Sequence, residues 1–181
     1  MNILMHACCG PCSIVPTRSL KGEGAKITAL FDNPNIQPYT EWVKRLEALT
    51  LHMERENIAL LPPEPYDLVP WLRRVVFKEN ARCALCYEVR LAKAAAKAAE
   101  GGFDAFTTTL LYSRHQKHDL IRELGEKAAR EAGTVFLYRD WRPGWSEGVA
   151  ESKRLGMYRQ QYCGCIYSEM ERYLGNIEAE R

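Results

Sequence analysis

Apolar residues along this chain come in two rhythms. Short runs of strand length occur at residues 3–5, 26–31 (Lys26-Ile-Thr-Ala-Leu-Phe31), 58–61, 105–110 (Ala105-Phe-Thr-Thr-Thr-Leu110) and 134–138, several of them rich in β-branched or aromatic residues. Between them, apolar positions recur every three or four residues, the spacing of one helical face. Leu46, Leu49, Thr50 and Met53 share such a face in a helix expected over 40–56. Leu85, Val89, Ala92, Ala96 and Ala99 do so over 84–100, which Gly101-Gly102 ends, and Leu120, Ile121, Leu124, Ala128 and Ala132 mark a helix closed near Gly133. A shorter helix is expected over 13–20. Pro62, Pro63, Pro65 and Pro70 predict a loop that delivers Trp71-Leu-Arg-Arg74.

Strands and helices therefore alternate, which predicts an α/β fold: a parallel sheet with helices on both faces. Ligands of such sheets bind beyond the strands' carboxyl ends. Cys8, Cys9, Asp32, Thr108, Arg139 and Asp140 all fall near those ends, so separate segments can converge on one pocket. No internal repeat or low-complexity tract divides the chain. A single domain over 1–181 is expected, large enough to bury roughly 70% of its unfolded surface without disulfide staples.

Composition changes this picture at the cysteines. All seven fall in tight groups: Cys8-Cys9 with Cys12, Cys83-Ala-Leu-Cys86, and Cys163-Gly-Cys165. The opening residues carry no basic leader and no apolar stretch long enough for a signal peptide or a span, which predicts a cytoplasmic protein without a membrane partner. In that reducing compartment, close cysteines bind metal or cycle catalytically more often than they form permanent disulfides.

Cys8, Cys9, Cys83 and Cys86 offer four thiolates, a number that suits zinc and an iron–sulfur cluster equally. Side chains of adjacent cysteines tend to diverge, which is awkward on one zinc and easier on a cubane, so the balance leans towards iron. Cys83 and Cys86 lie at the start of the 84–100 helix, where free amides and the helix dipole favour thiolate. Cys9-Gly-Pro-Cys12 has the spacing of a thioredoxin-type dithiol, and the competing reading makes Cys12 a small buried residue in the first helical turn. Cys163-Gly-Cys165 is too tight to grip one metal without help. Its glycine allows a strained, readily exchanged disulfide, a redox relay, against a reading as two unpaired thiols.

A formal charge of +2 is too small to announce a nucleic-acid binder. Positive charge is nevertheless concentrated in Arg114-His-Gln-Lys-His118 and in Arg139, Arg142, Lys153, Arg154 and Arg159, interleaved with Tyr138, Trp141, Trp145, Tyr158 and Tyr162. That mixture suits phosphates and stacked bases, against ordinary solvated charge over core aromatics. His115 and His118 have a metal-ligand spacing, but Arg114 and Lys117 beside them disfavour a second cation, so phosphate or base contact is expected.

These segments together resemble a known family. His6-Ala-Cys-Cys-Gly-Pro-Cys12, Asn33-Pro-Asn-Ile36, Arg82-Cys-x-x-Cys-Tyr87 with Arg90-Leu91, Thr107-Thr-Thr-Leu-Leu111 with Ser113-Arg-His-Gln-Lys-His118, and Tyr138-Arg-Asp-Trp-Arg-Pro-Gly-Trp145 resemble the QueH type of epoxyqueuosine reductase. So does Ser152-Lys153 followed by Gly156-Met-Tyr-Arg-Gln-Gln-Tyr-Cys-Gly-Cys-Ile-Tyr-Ser168. The resemblance implies a cobalamin-independent oxidoreductase that reduces epoxyqueuosine at the tRNA wobble position to queuosine. It also implies a [4Fe-4S] cluster on Cys8, Cys9, Cys83 and Cys86, a neighbouring mononuclear iron, a redox-active pair Cys163 and Cys165, and an external electron donor.

The fold likewise resembles the nucleotide α-hydrolase (HUP-like) class. Its first turn here, Cys8-Cys9-Gly-Pro-Cys-Ser13, lacks the small residues that admit a pyrophosphate, so metal rather than ATP is expected there. For the tRNA phosphates the candidates are Arg114, His115, Lys117, Arg142, Lys153 and Arg159, with Trp141, Trp145 or Tyr158 for stacking and Asp32, Asp140 or Tyr162 for protonation. The rival readings are a zinc-stabilised tRNA-binding module without catalysis, and a thiol oxidoreductase using Cys9 and Cys12.

Overall fold

The computed structural model describes the backbone of residues 1–179, with side chains through Gly175. Strands β1 (Asn2–His6), β2 (Lys26–Leu30), β3 (Ala59–Leu60) and β4 (Ala105–Thr108) form one parallel sheet in the order β3-β2-β1-β4. Ile3, Leu4 and Met5 are fully buried, as a central parallel strand covered on both faces requires. The chain steps from β1 through β2 to β3, then returns to the other side of β1 to make β4. Right-handed crossovers therefore place α1 (Gly10–Gly22) and α2 (Tyr39–Arg55) on one face, and α4 (Arg82–Glu100) with α5 (His118–Ala132) on the other. The reversal between β1 and β4 is where such a sheet opens a crevice at its carboxyl edge.

Several elements differ from the sequence pattern. The proline-rich stretch contains a short helix, α3 (Val69–Val75), because Pro70 falls in its first turn, where a missing N–H costs nothing. The run expected to extend to Leu110 leaves the sheet after Thr108 and becomes a 3-10 turn over Thr109–Tyr112. The expected strand at 134–138 reduces to one bridge, Phe106 to Phe136. In α4 the buried stripe is Tyr87, Leu91, Ala94, Ala95 and Ala98, while Ala92 and Ala99 are exposed. An alanine-rich helix offers apolar residues on every side, and the large Tyr87 and Leu91 decide which side packs. Two further helices, α6 (Trp145–Arg154) and α7 (Ile166–Ala179), complete the chain.

The first turn of α1 packs closely on α2. A Cβ at Gly10 would collide with the Ala48 carbonyl and the Met157 methyl, so only glycine lets the cysteine-bearing turn sit there. No described helix is long and apolar enough to cross a membrane.

Candidate active site

The turn after β1 brings three thiols together. The Cys8 N–H donates to Thr109 Oγ1 at 3.1 Å, tying the turn to the 3-10 segment that follows β4. Cys9 is the extended N-cap of α1, and Cys12 lies one turn inside it. The sulfurs of Cys8, Cys9 and Cys12 all lie within 4.8 Å of one another, and those of Cys8 and Cys9 are 3.8 Å apart. The adjacent side chains thus converge rather than diverge. All three are buried, and as thiolates they could hold a metal ion. Cys12 is buried in the first helical turn, as one of its two readings expects, and its sulfur also joins a three-thiol group that neither reading foresees.

The triad has an internal electrostatic order. Sulfur–hydrogen donation from Cys12 and Cys9 holds the Cys8 thiol well below its ordinary pKa, with the Arg90 guanidinium adding to the effect. Burial pushes Cys9 up, and Cys12 is raised chiefly by the hydrogen bond it gives to Cys8. The first negative charge of the group therefore rests on Cys8.

Cys83 and Cys86 occupy the first turns of α4, outside that triad. Burial outweighs the helix N-terminus at Cys86 and pushes its thiol up to about 12, contrary to the thiolate expected there. Arg90, one turn further along α4, is fully buried and reaches towards both cysteine segments. Its Nη1 donates to Cys86 Sγ at 3.6 Å, its Nη2 to Asn33 Oδ1 at 2.6 Å, and its Nε lies 3.3 Å from His6 Nε2. Burial, then Arg90 itself, lowers the His6 pKa to about 3, so the imidazole is neutral.

The segment joining α6 to α7 closes over the triad. Gln160 accepts from the Cys9 thiol at 3.2 Å and donates to Cys12 Sγ at 3.4 Å. Further along, Gln116 Nε2 donates to Cys163 Sγ at 3.4 Å, and Cys165 packs beside Trp71, Val75 and Cys86. Gly164, at φ 141°, is confined by Ile36, Asn35 and Arg45, a conformation and a space that suit glycine alone. The buried Arg45 holds this segment from α2, donating to the carbonyls of Tyr162 and Cys163.

Between these parts lies a cleft of about 600 Å³ reached by Cys8, Cys12, Arg90 and Cys163. Tyr112 and Trp145, stacked with centroids 5.1 Å apart, form an aromatic wall, with the His115 ring edge-on to Trp145. Of the six expected phosphate contacts, His115 and Arg159 line this cleft, and Arg114 is exposed beside His115. Lys117 and Lys153 are exposed away from its lining. Arg142 is locked in a two-pronged pair with Asp140 at 2.8 and 2.6 Å.

Other expectations divide likewise. Trp141 is a core residue and the Tyr158 hydroxyl is bonded to Glu41, which leaves Trp145 for stacking. His118 is buried at the start of α5, its Nε2 3.2 Å from the Ser113 carbonyl, so it is not a contact for phosphate. Among the candidate proton donors, the Arg142 pair holds Asp140 down at about 2, and Asp32 borders a separate cleft with Trp42 and Tyr66. Tyr162 lines the cysteine cleft. Burial and Glu41 raise its phenol to about 12, and its hydroxyl donates to the Gln37 carbonyl at 2.6 Å.

The sequence reading gives no role to Arg45, Arg90 or Gln160, although Arg90 and Gln160 fall within the motifs that carry the family resemblance. For two of them a signal existed: Glu41–Arg45 and Cys86–Arg90 are each spaced by one helical turn.

Fold and cleft together define an α/β protein, a parallel sheet with helices on both faces, with a cysteine site able to bind metal. A solved structure titled "predicted subunit of tRNA methyltransferase" from Methanocaldococcus jannaschii shares the fold, with a TM-score of 0.55 over 84% of this chain and 76% of that one, at 10% identity. The family model described as "Epoxyqueuosine reductase QueH" matches residues 3–171. Relatives of that name include one from Dehalococcoides mccartyi, 35% identical over 95% of this chain and 94% of its own length. Those from Histophilus somni (36%, covering 92% and 72%) and Thermotoga maritima (31%, covering 99% and 96%) are similar. The chain belongs to the QueH family of epoxyqueuosine reductases, and is thus an oxidoreductase of queuosine biosynthesis. A zinc-stabilised binding module without catalysis is not favoured.

Proposed function

We propose that this protein reduces epoxyqueuosine in the anticodon loop of tRNA, in the cytoplasm, using a [4Fe-4S] cluster bound by Cys8, Cys9, Cys83 and Cys86. The observation that carries the reading is a single cleft that joins buried thiols, the Cys163 segment and an aromatic, basic rim. Converging sulfurs beside a buried guanidinium suit an anionic thiolate-bound metal group. Cys12, the third member of the triad, is then free for a neighbouring iron. Such a centre supplies electrons singly and a Lewis acid for oxygen.

The reaction converts an epoxide, two electrons and two protons into an alkene and water. Trp145, backed by the buried Tyr112, offers a stacking face to the unpaired base, and Arg159, Arg114 and His115 meet the flanking phosphates. Tyr162 lines the cleft and keeps its proton throughout the physiological range, and it would protonate the leaving oxygen only by releasing the bond its hydroxyl gives the Gln37 carbonyl. Cys163 and Cys165 together accept two electrons from an external donor when their disulfide is reduced to the dithiol, and release them when it reforms.

The test is anaerobic reconstitution with iron and sulfide, followed by single turnover on tRNA carrying epoxyqueuosine. A brown protein absorbing near roughly 400 nm, bleached by dithionite, and formation of queuosine are expected. Colourless protein with stoichiometric zinc, or an epoxide that persists beside an intact, reduced cluster, would overturn the proposal.

A further inference from the structure

Two arginines are among the largest fully buried side chains, and they are balanced differently. Arg45 has a carboxylate partner, Glu41 Oε1, at 2.7 Å. Arg90 makes no ion pair with a carboxylate among the described residues. Its neighbours are an amide oxygen, a neutral imidazole and the Cys86 sulfur. A buried guanidinium stays charged, and leaving it without an anion costs several kcal/mol. The groups nearest to it that can become anionic are thiols, Cys86 in contact and both Cys8 and Cys163 within its field; the Asp32 carboxylate lies further off without pairing with it. The cation is also held rigidly. Asn33, which orients its Nη2, is itself fixed by donating to the Ala7 carbonyl at 2.9 Å, so the charge keeps a set position relative to the turn that carries Cys8.

We propose that Arg90 is a positioning residue of the thiolate centre, whose fixed positive charge, acting through Cys86, raises the centre's reduction potential. This rests on the iron–sulfur reading above. Reduction adds one negative charge to the group, and a cation with an N–H aimed at a ligand sulfur favours the reduced form. Asn33 then has a second importance: its neutral amide orients the guanidinium without cancelling it. A carboxylate in the same place would keep the bond to Arg90 and compensate its charge, while losing the bond that Asn33 gives the Ala7 carbonyl.

The experiment is a spectroelectrochemical titration of the reconstituted cluster in the wild type and in Arg90→Gln, Arg90→Lys and Asn33→Asp. The expected result is a lower midpoint in both Arg90→Gln and Asn33→Asp. At the wild-type midpoint the reduced-to-oxidised ratio should fall about tenfold, which is about 59 mV for one electron. Arg90→Lys should stay near the wild type. A cluster that assembles in Asn33→Asp with an unchanged midpoint overturns the inference and leaves the iron–sulfur reading standing. So does an unchanged midpoint in Arg90→Gln, which decides the matter if Asn33→Asp loses the cluster along with its bond to Ala7. A wild type that forms no cluster overturns both.

Discussion

Arg45 Nη1 donates to the main-chain carbonyl of Cys163 at 2.8 Å, so a buried side chain of α2 fixes the backbone of a thiol far along the chain. The same guanidinium donates to Tyr162 O at 2.9 Å and stacks on the Tyr162 ring, 5.6 Å from its centroid. The position of Cys163 is therefore set from beneath, by the helix that packs against α1.

Replacing Arg45 with methionine should remove about 3–5 kcal/mol of stability, because Glu41 stays buried without its cation. Urea titration measures that loss. Under native conditions, Cys163 and Cys165 should also alkylate faster in the variant, since both carbonyl anchors before Gly164 are gone. A loss below about 1 kcal/mol with unchanged alkylation would mean that the segment is held by other contacts.

Gln160 bridges two sulfurs of the triad through both ends of one amide. Groups that orient metal ligands are typically worth about 10–100-fold in affinity. Gln160→Leu should weaken metal binding by that amount in a chelator competition. Gln161→Leu, which loses only a bond to the Arg159 carbonyl, should behave as the wild type.

Arg159 and Arg142 make a matched pair for tRNA binding. Arg159 lines the cleft, while the charge of Arg142 is already committed to Asp140. Arg159→Ala should weaken binding and reduce the slope of log affinity against log salt by about 1. Arg142→Ala should change the slope little. Equal effects in filter-binding assays at several salt concentrations would assign the phosphate contact elsewhere.

His52 provides a pH test outside the cysteine cleft. It is buried in α2 against the Ser13 backbone with neither ring nitrogen in a well-formed hydrogen bond, and burial lowers its pKa below the ordinary 6.5. The unfolded chain therefore protonates this residue first as pH falls. Its contribution to stability is present in full above pH 6.5 and is lost as pH drops through 6.5 towards the folded value. One proton sets a slope of at most about 1.4 kcal/mol per pH unit. His52→Leu should be neutral or stabilising at pH 8 and should lose less stability than the wild type between pH 7 and 5 in denaturant titrations.

Much of the sheet was legible because its strands are short apolar runs separated by helices with clear periodicity; residues 26–31 and 120–132 are examples. The α4 stripe was misread because alanine carries too little side chain to mark a face. Residues 139–181 yielded no helices in advance, since α6 and α7 follow basic, aromatic sequence whose burial is set by long-range contacts such as Tyr112 on Trp145. At the site, the cysteine groups and the strand-end location were readable. The membership of Cys12 was not, because it depends on α1 beginning at Gly10 and turning that thiol back towards Cys8. Nothing in the local sequence marks Arg45 and Arg90 as buried, and only packing reveals that they are.

His6 closes β1, paired in register with Leu30 on one side and Thr108 on the other. Its Nδ1 lies 2.9 Å from Thr108 Oγ1, and its Nε2 lies 3.1 Å from Asp32 O, beyond the end of β2. A slip of either neighbouring strand by one residue would turn the facing side chains to the opposite surface. The turn that carries Cys8 thus takes its position from the alignment of the sheet, as Cys163 takes its own from α2. Substitutions that loosen strand alignment, even at the far edge, should reach the chemistry before they reach the fold.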